Sequence, residues 1–161
     1  MPLYLVESTA SAPVRLSLRR RIHDARQYST RVVEALLTTS SDDVYAVVEA
    51  STPAEVELFA DRIGLSARGV QAVELVGQSM DEVLYSPASS RVNCLVRAVA
   101  GSHAPQDDES GDPLHFERAY QPDNGGEAIF LYDTQNAARA IFAQERLGTD
   151  VRGLSRVEKV A

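Results

Sequence analysis

Hydrophobic and polar positions set out the chain's elements in order. Leu3 to Glu7 is a short apolar run with Tyr4 and Val6 on one side and Leu3, Leu5 and Glu7 on the other, which reads as a strand. After Pro13 the period changes to that of a helix, with Val14, Leu18, Ile22 and Ala25 on one stripe and Arg15, Arg19, Arg20, Arg21 and Arg26 on the opposite faces. Val32 to Thr39 returns to a strand, and Ser40-Ser41-Asp42-Asp43 is a hairpin turn into the β-branched and aromatic run Val44 to Glu49. Thr52-Pro53-Ala54-Glu55 then supplies a cap, a first-turn proline and a capping-box carboxylate. Val56, Phe59, Ala60 and Ile63 recur at helical spacing, Gly64 ends the helix, and Val70 to Val76 closes the unit as a strand. This order, β-α-β-β-α-β, is ferredoxin-like. A four-stranded antiparallel sheet with both helices on one face leaves its other face needing a partner.

The second half reads as a copy. Residues 77–90 form a connector with a helical turn at Met80 to Leu84, and Val92 to Val99 is a strand. GSHAPQDDESGDP follows, polar, acidic and rich in turn formers, so that a loop over residues 100–113 replaces the arginine-bearing helix. Leu114 to Gln121 is the next strand and Pro122 to Gly126 the turn. Glu127 to Val160 then repeats Asp43 to Val76. Val47 falls on Phe130, Glu49 on Tyr132, Thr52 on Gln135 and Phe59 on Phe142; one inserted residue near Gly64 and Gly148 brings Arg68-Gly69-Val70 onto Arg152-Gly153-Leu154. The fold expected is α+β, with ferredoxin-like units at residues 1–76 and 91–161, the second lacking its first helix. Packed by their bare faces, the two units would form a pseudo-dimeric α/β barrel.

Composition narrows the function. A net charge of -7 argues against a general nucleic-acid binder, because phosphate neutralisation needs a basic surface. No apolar run of about twenty residues is present to span a membrane. The opening MPLYLVEST lacks the basic start and apolar core of a secretory signal, and a single cysteine, Cys94, suits a reducing compartment. A cytoplasmic location is therefore expected. The arginine-bearing helix is read as a solvated face whose stems cover the sheet, with an acidic protein partner as the other role open to it.

The candidate chemistry lies on the strands. Glu7 and Glu49 sit near strand ends, and a carboxyl facing an apolar cavity would titrate high enough to act as a general base. Glu49 shares a face with Tyr45 and Val47, whereas its repeat counterpart Tyr132 shares one with Phe130, so the halves would bring unlike groups to one pocket. Tyr4, Tyr45, Phe130 and Tyr132 could line it against a planar ligand. Among the histidines, His23 lies on the arginine helix, His103 in the acidic loop and His115 on a strand, where His115 and Glu117 form an i, i+2 pair. His115 is the strand histidine that a metal or haem would use. No glycine-rich phosphate loop, serine elbow or CxxC pattern occurs.

Three stretches also carry a resemblance: PLYLVE at Pro2 to Glu7, TTSSDDVYAVVEA at Thr38 to Ala50, and GLSARGVQAV at Gly64 to Val73. Through them the first half resembles a family of small actinobacterial ferredoxin-like proteins of largely unassigned function, some of them nickel-binding. No cofactor is expected from the residues themselves, and the resemblance implies nickel as a metal that the chain could bind. The helix after the hairpin often ends in a histidine in that family, and LFADRIGLSAR has none here. More broadly the architecture is similar to the dimeric α/β barrels, which include cofactor-independent monooxygenases, lactone isomerases, cyclases and haem-dependent enzymes.

The sequence thus leads to a protein that binds a small apolar or aromatic molecule in a barrel-like cavity. As a cofactor-independent enzyme it would use Glu49 as base, Tyr132 and His115 as orienting donors, and Tyr4, Glu7, Tyr45, Glu117 and Phe130 as ligand contacts. Binding of nickel or another transition metal and a protein-interaction role are the alternatives, and pairing of two chains into a homodimer stays open.

Overall fold

Periodicity, caps and glycines act together to define each element. The computed structural model describes residues 1–25, 29–85, 91–99 and 114–161. Its elements run β1 (Leu3–Thr9), α1 (Ala12–Asp24), β2 (Arg31–Thr38), β3 (Asp43–Glu49), α2 (Pro53–Arg62), β4 (Ser66–Val76), α3 (Met80–Tyr85), β5 (Cys94–Val99), β6 (Leu114–Pro122), β7 (Glu127–Thr134), α4 (Ala137–Arg146) and β8 (Asp150–Lys159). This is an α+β chain of eight strands, with antiparallel pairing throughout the ladders described below, and four helices among the described residues. It divides into two units, Met1–Val73 with Glu158–Ala161, and Glu74–Val157. The first break falls three residues before the expected end of β4, and the last four residues belong with the first unit, where Val160 and Ala161 pair with Ala35.

In the first unit β1 lies between β3 and β4, and β3 pairs with β2, the order of a ferredoxin-like sheet. Both helices cover one face. Leu18 and Ile22 of α1 and Val56, Phe59 and Ala60 of α2 pack in one core with Tyr4, Val6, Val44, Ala46 and Val48. The α2 start is built as its sequence specifies: Thr52 accepts from the Glu55 amide, while the Glu55 carboxylate accepts from the Ser51 amide. Arg15 reaches from α1 to the carbonyls of Thr38 and Asp43, tying the helix to both ends of the β2–β3 hairpin.

In the second unit β5 lies between β7 and β8, and β7 pairs with β6. Ala140 of α4 packs in one core with Cys94, Val96, Ala119, Ala128, Phe130 and Tyr132. The expected replacement of a helix by a loop at 100–113 lies outside the described residues. In both units the sheet face away from the helices is also buried, as shown by Leu5, Leu36 and Val47 in the first and Leu95, Tyr120 and Leu131 in the second.

The repeat is real in the fold, and its spacing differs from the expected one. Helix caps Thr52 and Asn136 are 84 positions apart, and so are the positive-φ glycines Gly64 and Gly148. A β-bulge lies between Val32 and Glu34 in β2, and another between Phe116 and Arg118 in β6, again 84 positions on. One constant spacing therefore runs from β2 to β8 with no inserted residue. Glu49 corresponds to Asp133, Val48 to Tyr132, Ala46 to Phe130 and Phe59 to Ala143. The ungapped match of aromatic residues had slipped by one position, and because side chains alternate along a strand, a slip of one exchanges the faces.

Candidate functional site

The corrected spacing places Glu49 and Tyr132, expected to be repeat counterparts, on unlike faces of their own sheets. Glu49 ends β3 on the face away from the helices and is held by Arg31, whose Nη2 lies 3.2 Å and 3.3 Å from its two carboxylate oxygens. Tyr132 is on the opposite kind of face: it is fully buried under α4, its hydroxyl accepts from Gln144 Nε2, and its ring meets Phe116 edge-on at 5.7 Å. Burial pushes the Tyr132 phenol well above its ordinary range, with the Gln144 hydrogen bond opposing the shift. Phe130 lies in the same core, and Tyr4 in the core beneath α1 and α2. Tyr45 is buried on the other face of the first sheet, opposite Glu7 in register. Tyr4, Phe130 and Tyr132 thus pack under the helices of their own units, whereas Tyr45 lies on the face away from them. Cys94 is buried as well, and burial pushes its thiol up to about 11 against the nearby Arg156, which leaves a packing residue rather than a nucleophile.

What the second unit gathers instead is a polar cluster at the β6 bulge. Strand β6 contains the adjacent pair Glu117-Arg118, and the register shift falls there. Arg118 is fully buried and donates from Nη1 to Gln78 Oε1 at 3.0 Å. The same amide donates from Nε2 to Glu117 Oε2 at 3.3 Å, so Gln78 bridges the two charged groups. Gln78 is delivered by a tight turn: Gly77 has φ +97°, and a Cβ there would stand 2.8 Å from the Phe116 ring.

His115, expected to pair with Glu117, is near enough to act on its carboxyl electrostatically. His115 is exposed and lies opposite Asp133 in the β6–β7 register, and Asn93 extends the cluster by donating to Asp133 at 3.5 Å. The carboxyl of Glu117 titrates above its ordinary value. Burial is the main cause, Asp133 adds to it, and Arg118, His115 and Arg91 oppose it. A half-buried carboxyl moved toward neutrality can both take and give a proton, as general acid–base chemistry requires.

Sequence reasoning named His115 and Glu117 but missed Arg118, Asp133 and Gln78. Asp133 follows from Glu49 once the spacing is right, while nothing in the connector singled out Gln78.

The donor set bears on the two cofactor expectations. Among the described residues, no three His, Cys, Asp or Glu side chains are grouped to hold a metal ion. His115 stands exposed between carboxylates, whereas an imidazole bound to haem iron sits against an apolar macrocycle. The described residues around it do not fit haem.

No protein-family model matches the sequence, and no curated protein matches it. Solved structures do match in three dimensions. The fold is that of the crystal structure of a protein provisionally designated chlorite dismutase TA0507, with a TM-score of 0.52 over 99% of this chain and 96% of that one. The two are 12% identical, so the likeness extends to the fold alone. No helix among the described residues is long and apolar enough to cross a membrane.

Proposed function

We propose that this chain is a small-molecule-binding protein of the dimeric α/β barrel type, in single-chain pseudo-dimeric form, and that its ligand exchanges a proton with Glu117. The observation that carries this reading is the carboxyl at the β6 bulge, reachable from solvent yet shifted toward its neutral form and fixed by the Gln78 amide. The shared fold supports the barrel type alone, and the site is argued from its own side chains.

The chain's own groups define what can happen there. Gln78 holds one oxygen of Glu117 and so leaves the other to meet a ligand. Arg118 fixes Gln78 from the buried side, which sets the amide's orientation. His115 is a second titratable group beside the same carboxyl, able to hold a proton that Glu117 passes on. The ligand suited to this arrangement is a weak acid: a phenol, an enolisable ketone or a carboxylic acid on an apolar body.

The test is amide NMR of the protein against a panel of small phenols, enolisable ketones and aromatic acids, with neutral analogues as controls. Binding should move the Gln78, His115, Glu117 and Arg118 signals, with a pH-dependent affinity that Glu117→Gln makes flat. Signals that move elsewhere, or an unchanged pH dependence in Glu117→Gln, would refute the proposal.

A further inference from the structure

The β6–β7 hairpin turns through Asp123, Asn124 and Gly125, all exposed, and Gly125 takes a φ of +74°, which suits glycine. Asn124 Oδ1 accepts from the Gly126 amide at 3.0 Å. That bond folds the side chain back over the Gly125 peptide, so that Asn124 Cγ and the Gly125 nitrogen belong to one hydrogen-bonded ring. An N–H donating to Oδ1 also draws electrons from Cγ, and it stabilises the negative charge that builds on the oxygen when Cγ is attacked. The Gly125 nitrogen is tied only loosely, by a 3.3 Å contact with the Pro122 carbonyl. Nothing stands within 4 Å of the place where a Cβ would be at Gly125, so a ring can close there without collision. The chain's other two asparagines lack this combination. Asn93 is half-buried, its Oδ1 is shared by the Thr134 amide and Arg156, and the fully buried Cys94 follows it. Asn136 makes the same kind of bond, to the Ala138 amide at 3.2 Å, but Ala137 follows it, with a Cβ beside the attacking nitrogen and a backbone that opens α4.

We propose that Asn124 is a self-modifying site, where the chain converts its own Asn124–Gly125 linkage to aspartyl and isoaspartyl forms with water as the only other reactant. The Gly125 nitrogen attacks Asn124 Cγ and gives its proton to hydroxide. The Cγ–Nδ2 bond then breaks, and the side-chain nitrogen takes a proton from water and leaves as ammonia. One water molecule opens the resulting cyclic imide at either of its carbonyls. Opening at Cγ gives aspartate; opening at the Asn124 main-chain carbonyl gives isoaspartate, in which the main chain runs through the former side chain. No electron is transferred, and the net exchange is one water in and one ammonia out. Either product adds a negative charge to the hairpin. Isoaspartate also lengthens the main chain by one carbon, close to the ladder in which Tyr120 faces Ile129. The turn at the same place in the first unit, Ser40-Ser41-Asp42, has no asparagine to convert.

The test incubates the folded full chain in mildly alkaline buffer made with heavy-oxygen water and digests it afterwards in ordinary water for mass spectrometry, so that only conversion during the incubation carries the label. The peptide holding Asn124 should gain the mass of an amide turned to an acid with one heavy oxygen, in separable aspartyl and isoaspartyl forms. It should do so at least about tenfold faster than the peptides holding Asn93 or Asn136. A parallel sample unfolded in urea gives the rate without the hairpin, and the folded chain should match or exceed it. Asn124→Gln, whose longer side chain would have to close a larger ring, should stay unlabelled there. An Asn124 that stays intact in the folded chain while the urea sample converts, labelling of Asn93 or Asn136 at the same pace, or no conversion in either sample would each overturn the proposal.

Discussion

The same β-bulge occurs in both units, and what fills it differs. In β2 the bulged residue is Val33, buried and apolar; in β6 it is Glu117, half-buried and shifted toward protonation. Around the bulge the charges are exchanged as well: Glu34 corresponds to Arg118, both fully buried, and Glu7 corresponds to Arg97. The devices that set backbone geometry are retained across the repeat, including cap, bulge and positive-φ glycine, while the side chains placed by that geometry have diverged. At its bulge the second unit carries a carboxyl, a buried guanidinium and a bridging amide, where the first has a valine beside the buried Glu34.

The cores under the helices show the same rule with volume in place of charge. The first unit sets a small residue on the strand, Ala46, against a large one on the helix, Phe59; the second reverses them as Phe130 and Ala143. Phe130→Ala should therefore cost about 3–5 kcal/mol in urea unfolding. Adding Ala143→Phe to that variant should recover most of the loss by restoring the first unit's arrangement, since volume-conserving exchanges cost less than about 1.5 kcal/mol. No recovery would mean that the two cores are not built on equivalent positions.

Gly64 and Gly148 sharpen the comparison at smaller scale. Both have positive φ, but a Cβ at Gly64 would lie 3.0 Å from Val14, whereas nothing stands within 4 Å of one at Gly148. Alanine should cost roughly 1–2 kcal/mol at Gly148 from backbone strain alone. At Gly64 the loss in thermal unfolding should be larger, and equal losses would show that α1 yields freely.

The helix caps should behave alike. Thr52→Ala and Asn136→Ala each remove a hydrogen bond to a first-turn amide and should each cost about 1 kcal/mol in chemical denaturation. A difference of more than about 1 kcal/mol between them would break the equivalence that the 84-residue spacing assigns.

The smallest expected effect is a slope. Because Glu117 titrates higher in the folded chain than in the unfolded one, its ionisation weakens the fold as pH rises from the ordinary carboxyl range through its raised value. Glu117→Gln should match the wild type at acid pH and gain in relative stability toward neutral pH. A variant that loses stability on the same rise would reverse the assigned sign.

Most of the first unit was legible in the sequence because its signals agree: Thr52, Pro53, Glu55 and Gly64 mark the ends of α2, and the apolar stripe between them has the helix period. The repeat was legible too, but the wrong residues anchored it. Phe59 and Phe142 look equivalent, yet Phe59 is buried and Phe142 is 63% exposed. Matching large aromatics found a neighbouring position, whereas matching the cap and the glycine would have found the true one. The site stayed half hidden for the same reason. Glu49 drew attention as the acid at a strand end, but it is neutralised by Arg31, and the bulge that lifts Glu117 beside Gln78 depends on a contact 39 residues apart in the chain.

The most direct measurement is a carboxyl-carbon NMR titration of Glu117 in the full chain, with Glu117→Gln used to assign its signal. The account predicts a midpoint above the ordinary glutamate value of about 4.3, falling when Asp133→Asn removes the neighbouring negative charge. A midpoint at or below the ordinary value would contradict it, because Glu117 would then be one more paired surface carboxylate rather than the proton-handling group of the second unit.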